Sequence, residues 1–91
     1  MILVDELEHF PGAGRWCHMV SDTSVDELHA FAEKIGVWRE WFQDKPGNPH
    51  YDLAPHKRRL AIAQGAKQVS GRDLIIALRK QRRQEANDDT T

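Results

Sequence analysis

One helix of this chain can be read with both of its ends fixed. Ser24-Val25-Asp26-Glu27 is a capping box, with Ser24 at the N-cap and Glu27 three residues on. Leu28, Phe31, Ala32 and Ile35 follow at helical spacing on one face, and Gly36 offers the left-handed residue that ends such a helix. A helix with a single apolar stripe must lay it against another apolar layer. Upstream stand two short runs of strand character, Ile2-Leu3-Val4 and Trp16-Cys17-His18-Met19-Val20. Together they predict a helix packed on a sheet.

The remaining punctuation extends that plan. Residues 6–14, with Pro11, Gly12 and Gly14, read as loop, and so do residues 44–49 with Pro46, Gly47 and Pro49. Trp38, Trp41 and Phe42 are spaced i, i+3 and i+4, which predicts a short aromatic helical turn packed on the sheet. His50-Tyr51-Asp52-Leu53 reads as a third strand. Pro55 suits the first turn of a helix over residues 55–64 stopped by Gly65, and residues 66–69 read as extended or a turn. Ser70 caps a third helix with an expected buried stripe of Leu74, Ile75 and Leu78. The expected fold is α/β (α+β): a small three-stranded, mixed sheet with about three helices. One domain covers residues 1–84, with a flexible polar tail over 85–91. The connection from Asp5 to Arg15 is short for a parallel crossover, so an antiparallel first pair is favoured.

Composition bounds the function classes. No apolar run approaches the roughly 18 residues that a membrane span needs. Cys17 is the single cysteine, which excludes an internal disulfide and any multi-cysteine zinc site, and mid-strand it is expected to be inert. The start, Met1-Ile2-Leu3-Val4-Asp5-Glu6, has no basic stretch and no signal-type apolar segment, so a cytoplasmic setting is expected. At 91 residues the core is thin, which makes a homodimer a reasonable expectation. The net charge of −1 hides an asymmetry. Residues 1–55 hold four Lys/Arg against ten Asp/Glu, and residues 56–83 hold nine Lys/Arg against Asp73 alone. Such a chain can associate head to tail or turn its basic third toward phosphate, and a solvated polar face competes with both.

The residues able to carry chemistry concentrate at strand ends. Asp5 closes the first strand, His18 lies in the second, Ser21 and Asp22 end it, and His29 is one turn into the helix. His50 and Asp52 share one face of the third strand, with Tyr51 opposite. Histidines and carboxylates converging at one sheet end suit a divalent metal or general acid–base work on a phosphoester. Asp22, His50 and Asp52 are the expected metal ligands, and His18, His50 and Asp52 the expected catalytic residues. Asp5, Ser21, Asp22, His29, Tyr51, Arg58 and Arg59 are expected around the ligand, with an arginine neutralising phosphate. Separate structural jobs compete: His18 as a core histidine, Asp22 supporting the helix start, Asp52 as an acid near the N-terminus of the Pro55 helix. No HExxH, Walker or GxGxxG motif is present. The basic helices resemble a helix-turn-helix only loosely, because residues 65–70 make too long a join.

The residues as a set, Cys17 to Ser24 (CHMVSDTS), Glu27 to Ala32 (ELHAFA), Ile35-Gly36, His50-Tyr51-Asp52 and Gly65-Ala66, resemble a compact bacterial and bacteriophage family known only as a domain of unknown function. The resemblance spans roughly residues 2–78. It implies a recurring motif at Asp5, His18, Asp22, His29, His50, Asp52 and Arg59, and a phage or prophage setting, but no activity. The loop at 44–49 and the polar tail depart from the family pattern. The expected function is binding of a phosphate-bearing ligand (a nucleotide or nucleic-acid end) at the His/Asp cluster, with metal-assisted hydrolysis as its extension. The alternatives are a non-catalytic interaction protein acting through aromatic and basic surfaces, and a nucleic-acid-binding module.

Overall fold

The computed structural model describes residues 1–45 and 47–89. In chain order the elements are β1 (Ile2–Val4), β2 (Glu8–Phe10), β3 (Gly14–Ser21), α1 (Val25–Lys34), a 3-10 turn (Arg39–Trp41), β4 (Gln43–Lys45), β5 (Asn48–Leu53), α2 (Pro55–Ala63), β6 (Lys67–Gln68) and α3 (Gly71–Asp89). The three expected helices are present. Ser24 Oγ accepts the Glu27 amide at 3.0 Å to open α1, and Gly36 beyond its end has φ of 75°. Pro55 begins α2, and Ser70 Oγ accepts the Asp73 amide at 3.1 Å to open α3.

The sheet has six strands, not three. Its order is β4-β5-β3-β1-β6, with β2 paired to β3 beyond the end of β1. The first pair, β1 with β3, is antiparallel, and β1 with β6 is the parallel pair that makes the sheet mixed. The expected loop at 6–14 contains β2, whose hairpin to β3 turns through Gly12 and Gly14 at φ of 82° and 87°. The expected loop at 44–49 is likewise a hairpin, with Asp44 opposite Pro49 and Gly47 at φ of 77°. β2 is exposed throughout and β4 is polar and mostly exposed, so neither shows the apolar alternation that marks a half-buried strand.

Alternation along the strands sorts the core into two layers. Ile2, Val4, Cys17, Met19, Tyr51 and Leu53 lie under α1 and α2 with Leu28, Ala32, Ile35 and Ala61. Leu3 and Val20 lie on the other face under Leu74, Ala77 and Leu78 of α3. The α3 stripe is thus Leu74, Ala77, Leu78 and Gln81, and the expected Ile75 is 46% exposed. A residue 100° round from Leu74 cannot share its line of contact, whereas positions three, four and seven on can. The aromatic turn also differs from expectation. Trp38 and Trp41 are 70% and 57% exposed rather than core. The turn is 3-10, so i and i+3 eclipse one another and the two indoles share an outward side. Phe42 packs inward, against His29 and Tyr51.

α3 stays helical to Asp89, across much of the stretch expected as a tail, and Glu85 Oε1 accepts the Val25 amide at 2.8 Å. Residues 90 and 91 lie outside the described residues. Among the described residues no helix is long and apolar enough to cross a membrane.

Candidate metal centre

The half of the sheet face that α3 leaves uncovered carries the polar cluster. β3 and β5 pair with His18 directly opposite Asp52, and His50 stands two residues before Asp52 on the same face. Asp5 follows β1 and continues its pairing, its amide donating to the His18 carbonyl at 3.2 Å. Its carboxylate accepts twice from His18, from the backbone amide at 2.6 Å and from Nδ1 at 2.8 Å. Burial pushes the Asp5 carboxyl up, but the hydrogen bonds from His18 outweigh it and hold it below the ordinary value. The bond to Asp5 raises His18 in turn, against the opposing effect of burial.

These contacts decide which ring nitrogens face the cluster. His18 Nδ1 faces a carboxylate and carries a proton there, leaving Nε2 turned toward Asp52. His50, 5% exposed, donates Nδ1–H to the Asn48 carbonyl at 2.7 Å, which turns its Nε2 toward the cluster. Those two Nε2 atoms lie 3.9 and 3.4 Å from the same oxygen, Asp52 Oδ1. The other Asp52 oxygen accepts from Gln43 Nε2. One ligand atom from each of His18, His50 and Asp52 lies within 4.8 Å of the others. In the tautomer that keeps the proton on Nδ1, each ring offers an Nε2 lone pair to the space it shares with Asp52 Oδ1. That arrangement calls for a cation or a proton, and two imidazoles with a carboxylate suit zinc, manganese or iron. Each would-be ligand is also held by an outer partner (Asp5, the Asn48 carbonyl, Gln43), as metal ligands characteristically are.

Asp22, expected as a ligand with His50 and Asp52, stands apart from the cluster, and the residue beside those two is His18. Strand rise places residue 22 roughly 13 Å beyond residue 18, past the end of β3. There its Oδ1 accepts from the Met1 amino group and the Thr23 hydroxyl, both at 2.9 Å, and its Oδ2 lies 3.5 Å from Lys80. Ser21 is spent on the entry to α1. It donates to Glu27 Oε1 at 2.7 Å and accepts the Thr23 and Ser24 amides at 3.0 and 3.1 Å.

His29 and Tyr51 meet on the opposite face, where the Tyr51 hydroxyl and His29 Nδ1 share a hydrogen bond of 2.8 Å. Burial, then the charge of Arg39, lowers His29, and burial raises Tyr51. Arg58 reaches round from α2 to donate through Nε to the Asp5 carbonyl at 2.9 Å and through Nη2 to Gln68 at 3.3 Å. Arg59 is exposed. Cys17 is buried, and burial pushes its thiol up to about 12, so it is no nucleophile.

Two polar residues were missed, one beside the cluster and one in the core. Gln43 stands opposite His50, a position visible only once β4 is known to be a strand. Gln81, 1% exposed on the inner stripe of α3, has no partner for Nε2 among the described residues.

A family model described as a protein of unknown function, DUF4031, matches residues 2–81. No curated protein matches the chain. No solved structure matches it either.

Proposed function

The chain belongs to the DUF4031 family, of unknown function, and we propose that its His18–His50–Asp52 cluster binds a divalent metal ion and, through it, a phosphate-bearing ligand, a nucleotide or nucleic-acid end. One observation carries the reading. One ligand atom from each of His18, His50 and Asp52 converges from adjacent strands to within 4.8 Å of the others, and each side chain is oriented by its own outer partner. Three protein ligands leave coordination positions for a phosphate oxygen and a water. Both imidazoles turn toward Asp52, so no histidine of the cluster is left over as a general acid. Binding is therefore the primary reading. Attack of a metal-activated water on phosphorus is its extension. Arg58 fits a supporting role better than a phosphate contact, since its guanidinium already bonds Asp5 and Gln68.

Calorimetric titration of the chelator-stripped protein with manganese and zinc tests the proposal. One ion per chain is expected for wild type and for Asp22→Ala, with binding lost in His50→Ala and Asp52→Ala. Inorganic phosphate and nucleoside monophosphates should then bind only to the metal-loaded protein. No binding of either metal to the wild type would sink the proposal. Exposed Trp38 and Trp41 favour a second reading, a partner-binding protein, in which neither metal nor phosphate affects binding.

A further inference from the structure

All three tryptophans of the chain gather beside the cluster. Asp52 lines two clefts that share Trp16 and Trp41. The first, about 500 Å³, adds Phe10 and Gln43, and the second, about 380 Å³, adds Trp38 and Lys57. Register explains the proximity. Trp16 is two residues before His18 on β3, Glu8 of β2 stands opposite Trp16 with Phe10 two residues on, and Gln43 stands opposite His50. Alternation therefore directs Phe10, Trp16, His18, Gln43, His50 and Asp52 from one face of one sheet. The aromatic wall and the acceptor cluster are built on the same strands, and Asp52 belongs to both.

From this geometry we infer that the cleft between Trp16 and Trp41 seats the nucleobase of a nucleotide whose phosphate is held at the His18–His50–Asp52 cluster. The inference rests on the metal-and-phosphate reading above and names its substrate class. The folding core does not use three of these rings, since Trp38 and Trp41 are mostly in water and Phe10 is 39% exposed, while Trp16 is half-buried beside them. Flat π-faces on an open sheet face are how proteins stack bases. Two polar groups of the wall are already engaged, Trp16 Nε1 with the Ala13 carbonyl at 2.5 Å and Gln43 Nε2 with Asp52, and what the wall chiefly offers is ring surface. Recognition thus runs through ring faces rather than base edges, and the seat should tolerate any base. The shared chemistry, a base joined to a phosphate, is offered both by a free nucleotide and by a single-stranded end.

The test uses the full chain with saturating manganese and compares AMP, ribose 5-phosphate and a short 5′-phosphorylated oligonucleotide. AMP is expected to bind about tenfold tighter than ribose 5-phosphate and to quench tryptophan fluorescence. CMP and GMP should fall within a few-fold of AMP. Trp41→Ala, at an exposed position, should erase the preference while manganese binds as before, and Trp16→Phe should keep part of it. An oligonucleotide much tighter than AMP assigns the seat to strand ends, and equal binding assigns it to free nucleotides. Equal affinity of AMP and ribose 5-phosphate overturns the base seat and leaves the metal reading intact. Trp41-dependent quenching by adenosine in a protein that binds no manganese does the reverse. A dimer that Trp41→Ala dissociates, with no base preference in either form, would make the cleft a self-interface and end the proposal.

Discussion

Asp5 shows how one residue can serve both fold and site. Its carboxylate satisfies the backbone amide and the ring of His18 at once, so replacing it touches the β1–β3 pairing and the cluster together. Asp5→Asn should destabilise the metal-free protein by about 1.5–3 kcal/mol, the range for a charged hydrogen bond. Metal affinity should fall about 10- to 100-fold, as when an outer partner is lost. The sign of the pH dependence follows from the two shifts. Asp5 is held low, so its contribution is full above the ordinary carboxylate value and is lost as pH falls through its lowered one. His18 is held high, so its contribution is full below the ordinary imidazole value and is lost as pH rises through its raised one. The difference in melting temperature between wild type and Asp5→Asn, measured in chelator, should therefore peak between about pH 4 and 6.5. A difference flat across pH would mean that the pair carries no charge. The cluster itself was half legible in the sequence: alternation alone puts His50 with Asp52, but the length of β3 decides that His18 joins them and Asp22 does not.

At the scale of elements, what was legible depended on whether an element carries its own signals. α1 carries a cap, a terminator and an apolar face, α2 a leading Pro55 and a closing Gly65, and α3 the Ser70 cap, and each begins where those signals put it. β2, β4 and β6 are short and exposed, and owe their existence to a neighbour's free edge rather than to a pattern of their own. α3 was legible in its start and not in its stripe, and the cost falls on Gln81. A buried amide nitrogen without a partner costs about 1–3 kcal/mol. Gln81→Leu keeps similar bulk and removes the polar atoms, so it should stabilise the protein by about 1 kcal/mol, raising the melting temperature by roughly 4–8 °C. Manganese titration of this variant should match wild type. A fall in melting temperature would instead mean that the Gln81 amide is satisfied and contributes to stability.

At the scale of the whole molecule, the charge asymmetry calls for a counterpart. Arg72, Arg79, Lys80, Arg82 and Arg83 lie on the exposed side of α3, and Ile75 and Ile76 beside them are 46% and 51% exposed. Lys80 is partly balanced within the chain by Asp22 at 3.5 Å, while the basic excess of residues 56–83 remains. A phosphate backbone and the acidic first half of a second copy would both answer that excess. Two features favour the second copy. The same helix adds apolar surface that phosphate cannot use, and Glu85 with its acidic neighbours Asp88 and Asp89 in the sequence repels nucleic acid. Changing Arg79, Arg82 and Arg83 together to Gln spares both the buried stripe and the Lys80 pair, so the fold should survive. Sedimentation velocity should then show a salt-sensitive dimer for wild type and a monomer for the variant. Binding to random-sequence DNA, weak in both, should show no steep fall with salt. A wild-type monomer that binds DNA tightly at physiological salt, with a salt slope that the triple variant flattens, would reverse the assignment and make α3 a phosphate-contacting helix.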